Sequence, residues 1–93
     1  MTLHLGDDVT AHLCSIIGIF NMDPRTLTSD NIAFLKTSEE EGFIERISAE
    51  PPKSFVVAQS DHHTTIYLSP ISTKTLIRRA DPAHLQEEDT HVR

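Results

Sequence analysis

The sequence predicts an α+β domain, with a small, mainly antiparallel sheet of about five strands, two short helices and a disordered C-terminal tail. Three observations lead there. Two β-rich runs, residues 54–59 and 64–68, flank the polar Ser60-Asp61-His62-His63, which reads as a hairpin. Two further segments begin at capping hydroxyls and end at helix-breaking residues. The count of about five short strands and two helices suggests an α+β domain built on a mainly antiparallel sheet.

Taken in order, residues 2–5 and 9–13 read as strands around Gly6-Asp7-Asp8, a turn-prone connection. Residues 16–20 form a third strand, whose near-continuous apolar character predicts burial on both faces; Gly18 within it weakens the strand or marks a close backbone approach. Asp23-Pro24 breaks the chain. A helix starts near Thr28 or Ser29, either of which caps free amides, with Asp30 suited to the positive end of the helix dipole. Ile32 and Leu35 point the same way, with Phe34 on an adjoining face. Gly42 terminates the helix, after the acidic run Glu39-Glu40-Glu41. Residues 43–47 alternate apolar and charged, an ambiguous strand signal. Pro51-Pro52 requires a loop or sheet edge, because two prolines remove two backbone donors. Ser72 caps a last helix that runs to about Arg79, with Leu76 and Ile77 as its apolar anchors, and Asp81-Pro82 ends it. Residues 1–80 form one domain, and 81–93 a polar acidic tail.

Ninety-three residues fit a single small domain with a thin core, for which oligomerisation is a plausible support. No apolar run is long enough for a membrane span, the start lacks a signal-peptide pattern, and the single Cys14 has no intramolecular disulfide partner. A reducing, cytoplasmic location is expected. The net charge of −6 opposes long-range attraction to a phosphate backbone. Residues 1–80 carry ten acids and seven bases; residues 81–93 carry four acids and one arginine.

Catalysis is not expected. The thiol of Cys14 lies in an apolar strand setting, where it reads as an inert small hydrophobe. The serines lack a Gly-x-Ser-x-Gly elbow, and three glycines are too few for a nucleotide-cradling loop. His62 and His63 have no second ligand at zinc spacing, so a solvent-facing turn outranks a metal site and no cofactor is inferred. Phe55 and Tyr67 read as core or subunit-interface residues ahead of base-stacking platforms. The basic candidates are Lys53, Lys74, Arg78 and Arg79, with Arg25 and Lys36 as additions. On a helix Lys74 and Arg78, four apart, share a face and can straddle phosphates. The competing reading is that basic residues simply complement the negative end of the helix dipole.

Beyond these local readings, the chain resembles the bacterial RemA/RemB extracellular-matrix regulator family, and its RemB branch more closely. The resemblance runs through His4-Leu5-Gly6, Ile19-Phe20, Pro52-Lys53-Ser54, Leu68-Ser69-Pro70 and Thr75-Leu76 and spans roughly residues 1–80. It implies an oligomeric DNA-binding regulator of biofilm genes, self-associating, with DNA as partner and no small-molecule substrate. Phosphate contacts would fall to Lys53, Lys74, Arg78 and Arg79. The arginines that the RemA branch uses for DNA have no counterpart here. The loop before the central strand pair offers only Lys53, and Ser15 stands where the third strand begins. The alternative is a protein-interaction or scaffold module that keeps fold and assembly without DNA binding.

Overall fold

The computed structural model describes residues 1–81, and the tail expected over 81–93 lies, but for Asp81, outside the described residues. The fold class is α+β, with six strands in two sheets and two helices. Strands β1 (Thr2–Gly6) and β2 (Val9–His12) form an antiparallel hairpin. A short 3-10 turn over Leu13–Ser15 leads into β3 (Ile16–Asn21). Helix α1 covers Ser29–Glu40, β4 is Ile44–Arg46, β5 is Ser54–Ser60, β6 is His63–Ser69, and helix α2 covers Thr73–Ala80. The four-stranded sheet has the order β3-β5-β6-β4. All its pairs are antiparallel except β4–β6, so the ambiguous 43–47 segment is a short parallel edge.

Strand β5 is buried from Ser54 to Ala58 because it is covered on both faces. Val56 belongs to a cluster with Leu3, Leu5, Ala11, Ile47 and Leu76, beneath the β1–β2 hairpin and α2. Phe55 and Val57 belong to the opposite cluster with Ile66 and Leu68, covered by Leu27, Leu35 and Met22. The expectation of two-sided burial therefore fits β5, not β3. Strand β3 lies at the sheet edge, where Ile17 is 63% and Phe20 38% exposed. Its apolar run has a different cause, a bulge that sets Ile17 and Gly18 against Val57 alone. Ile16 and Ile19 consequently turn to the α2 face while Phe20 stacks on Phe55 at 4.8 Å on the other. A Cβ on Gly18 would lie 2.6 Å from the Phe20 ring, so the residue marks a close approach.

Four other expectations are corrected. Ile77 is 54% exposed, leaving Leu76 as the buried anchor of α2. Ile32 is likewise 54% exposed; Leu35 is the α1 residue that packs on the sheet, and Phe34 reaches Phe55 with ring centroids 6.4 Å apart. Cys14 is exposed in the 3-10 turn instead of lying in a strand. His63 opens β6, and only Asp61 and His62 form the hairpin loop, both at positive φ (48° and 70°). That conformation suits a type I′ connection between twisted strands. Both helix caps match their expected residues: Thr28 accepts from the Asn31 amide and Ser72 from the Thr75 amide. Gly42 follows α1 at φ 80°.

Two fully buried serines join the layers. Ser54 and Ser69 are cross-strand partners at the ends of β5 and β6, each with no exposed surface. Ser69 Oγ donates to the Leu5 carbonyl of the hairpin and accepts from the Ile71 amide, while Ser54 Oγ donates to the Ile71 carbonyl at 2.8 Å. Gly6 sits in the same junction, with Pro70 Cδ 3.0 Å from where a Cβ would lie and φ at 131°, so any side chain there is both crowded and strained.

Replacing Ser69 by alanine removes the hydroxyl partner of the buried Leu5 carbonyl and of the half-buried Ile71 amide, and we expect a loss of about 2 kcal/mol, read as a lower urea midpoint at unchanged slope. At the hairpin tip His62→Gly is expected to act oppositely. Glycine takes the left-handed conformation without a Cβ penalty, raising stability by roughly 0.5 kcal/mol in the same assay.

Candidate functional site

A groove of about 390 Å³ lies where the end of β3, the loop before β5 and the start of α2 meet. Lys53 and Lys74 stand on its rim together with Asp23, Pro52 and Thr73. Each lysine is placed by backbone chemistry. The Lys53 amide donates to the Ser69 carbonyl at 2.8 Å, and its carbonyl accepts from the Met22 amide at 3.1 Å. This clamps the loop after Pro51-Pro52 to both β6 and the strand end beyond Asn21. Lys74 lies in the first turn of α2, whose start is fixed by the Ser72 cap. Both lysines are exposed and neither is in an ion pair among the described residues.

The groove is suited to an anion. Two ammonium groups flank it, and the first turn of α2 opens beside it. The leading amides of a helix have no intrahelical acceptor and carry the positive end of its dipole. The Thr73 hydroxyl, at the first helical position, is buried without a hydrogen-bond partner. Against this stands Asp23, which Arg25 engages through its guanidinium at 2.9 Å and through its amide. The Arg25 side-chain hydrogen bonds hold the Asp23 carboxyl below its ordinary range, so it is ionised at neutral pH. The pair is close to neutral as a unit, which leaves Lys53 and Lys74 as the unpaired charges on the rim.

The remaining basic residues are distributed differently. Arg78, exposed one turn beyond Lys74, continues the basic face of α2 away from the groove. Arg79 is half-buried and turned toward the hairpin, where its Nη1 donates to the His4 carbonyl at 3.4 Å. Arg25 is taken by Asp23, and Lys36 lies on α1, which does not line the groove. The structure thus brings Lys53 and Lys74 together across 21 positions of sequence, adds Arg78 at a distance and directs Arg79 elsewhere. The loop residue Glu50 has its amide bonded to Ser48 Oγ and does not line the groove.

Other chemistry is sparse. No group of three or more histidine, cysteine or acidic side chains able to hold a metal occurs among the described residues. His62 and His63 are exposed at the hairpin tip, and Tyr67 and Phe55 pack in the two core clusters. No helix among the described residues is long and apolar enough to cross a membrane. The sequence reading missed Thr73 and the contribution of residues 21–23 to the groove. The Asp23-Pro24 signal pointed to a turn, but not to where that turn packs.

Ser72→Ala removes the α2 cap, and a destabilisation of about 1 kcal/mol is expected from thermal melts. The same change loosens the first turn that carries Lys74. Comparison with known protein families and with curated proteins gives no match to this chain.

Proposed function

We propose that the chain is an oligomeric DNA-binding regulatory protein of the extracellular-matrix regulator type, contacting phosphate through the Lys53–Lys74 groove. The observation that carries this reading is the convergence of two unpaired lysines on the opening turn of α2, in a chain of net charge −6. An acidic chain that brings two of its unpaired cations together at a helix start offers a local anion site where its overall field offers none. Arg78 extends the contact along α2, and Arg79 adds charge only at the hairpin side. Two or three phosphate contacts give weak binding per copy, so self-association is part of the proposal: repeated patches on one assembly gain avidity without stronger single contacts. With so few base-reading groups near the groove, sequence preference would come from DNA shape and from the spacing of copies. An exposed free thiol at Cys14 supports a reducing, cytoplasmic setting.

A second reading, an interaction or scaffold module without DNA contact, is favoured by a specific observation. Large apolar side chains stand exposed around β3, a surface chemistry that suits protein and not phosphate.

Gel-shift titration at several salt concentrations separates the two. For DNA contact we expect binding at low salt that weakens steeply as salt rises. Lys53→Ala with Lys74→Ala should reduce the magnitude of the log–log salt slope by about 2, since each lost phosphate contact removes roughly 0.9. Absence of binding at low salt, or a double variant indistinguishable from the parent, leaves the interaction-module reading.

A further inference from the structure

The two ends of the four-stranded sheet are built differently. At one end β4 is only three residues long and carries Glu45 and Arg46. Short length and charge are the ordinary ways to blunt an edge strand against pairing. At the other end β3 runs six residues, Ile16-Ile17-Gly18-Ile19-Phe20-Asn21, with no charge and no proline. Among the described residues no strand pairs with its outer side.

Apolar surface continues on both faces of that edge. On one face Ile17 (63% exposed), Phe20 and Phe34 (42%) line a groove of about 420 Å³ with Phe55 and Val57, and Asp30 and Asn31 of α1 complete it. On the other, Ile77 of α2 (54% exposed), Ile16, Ile19 and Ala80 line a groove of about 490 Å³, with Asp81 beside them. Single exposed apolar residues need no explanation, but two such grooves flanking one unguarded edge strand make a contiguous interaction surface.

We propose that β3 is the interface with a second copy of this chain, paired antiparallel, strand to strand, about a two-fold axis. Charge selects this occupant. Two copies of net charge −6 repel each other over most of their surfaces, whereas β3 itself is uncharged and each flanking groove has a single acid in its lining, Asp30 or Asp81. A two-fold pairing sets each copy's uncharged strand against its own equivalent and satisfies both open edges at once. Area sets the strength. Ile17, Phe20, Phe34 and Ile77 expose about half of their surface, roughly 350 Å² of apolar area per copy at about 150–200 Å² for a whole side chain. That is under half of the ~800 Å² per partner of a standard interface. The strand backbones and groove walls supply the rest, so the dimer forms reversibly with concentration. This names the contact behind the self-association proposed above and rests on that part of the reading alone, not on DNA binding.

The test is sedimentation velocity of the full chain across a dilution series, with circular dichroism to establish folding. The parent is expected to pass from monomer to dimer as concentration rises. Ile17→Lys, which sets like charges facing each other across the axis, should weaken association by about tenfold or more, with an unchanged spectrum. Ile32→Lys, an equally exposed position of α1 outside the two grooves, should leave association unchanged. A parent that is monomeric throughout overturns the proposal. So does a dimer whose strength Ile17→Lys leaves unchanged, or one that Ile32→Lys weakens as strongly. Failure of the DNA reading would appear in the Lys53/Lys74 gel shifts and would leave these masses unaltered.

Discussion

The hydrogen bonds of Ser54 and Ser69 hold the three layers in register. The two hydroxyls lie side by side in the central strand pair and reach outward from it, Ser69 to Leu5 of the hairpin and both to residue 71 of the turn before α2. A buried polar side chain costs free energy unless it is bonded, and these two are bonded to main-chain groups of buried Leu5 and half-buried Ile71. The turn over Pro70-Ile71-Ser72 is thereby fixed relative to the sheet, and with it the point at which α2 starts. Apolar packing of Leu3, Leu5, Val56 and Leu76 drives the hairpin and helix onto the sheet. The serines decide where along the sheet they land.

That placement makes the groove. Lys53 is one residue before Ser54 and hands its amide to Ser69, while Lys74 is one residue past the first helical position after the Ser72 cap. Both lysines are thus tethered within a residue or two of the same buried junction, yet their own side chains stay in solvent. Rigid backbone with free charged ends is a suitable arrangement for an electrostatic contact, because little main-chain order is lost on binding. Asp23 and Pro24 close the third side, and Arg25 outside the groove offsets the Asp23 charge, so the turn beyond β3 shapes the groove with little net charge.

Much of the architecture was legible because its signals are local. Thr28-Ser29 and Ser72 declare helix starts, Gly42 a helix end, and Ser60-Asp61-His62-His63 a hairpin between β-rich runs. What was not legible depends on contacts between distant segments. Ser54 and Ser69 read as ordinary polar strand ends, since burial of a serine is decided by what packs over it. The apolar run of β3 resembled a strand covered on both sides. The bulge at Ile17-Gly18 changes which face each residue occupies, and a strict two-residue period does not register an inserted residue. Ile32 and Ile77 illustrate the same limit: spacing gives a shared face, but not whether anything lies against it. For the site, the chain showed four basic candidates, and only the turn at 70–72 decides that Lys53 meets Lys74 while Arg79 turns to His4.

The groove and the open edge occupy the same strand, which gives the two proposals a physical relation. Asn21 and Met22, at the end of β3 and just past it, line the groove, while Ile17 lies four residues earlier at the apolar edge. At about 3.3 Å per residue that separation is roughly 13 Å. An antiparallel pair of β3 strands would therefore carry one groove near each end of the joined strands, related by the two-fold axis. One groove offers two lysines, and two linked grooves offer four in a fixed spatial relation. Salt dependence scales with the number of phosphates neutralised, so the proposed pairing would double the electrostatic term without any added base. It also sets a distance between contacts that a nucleic acid must match. Selectivity in such a protein would reside in the geometry of its assembly, and the excess of acids elsewhere in the chain would not prevent the contact.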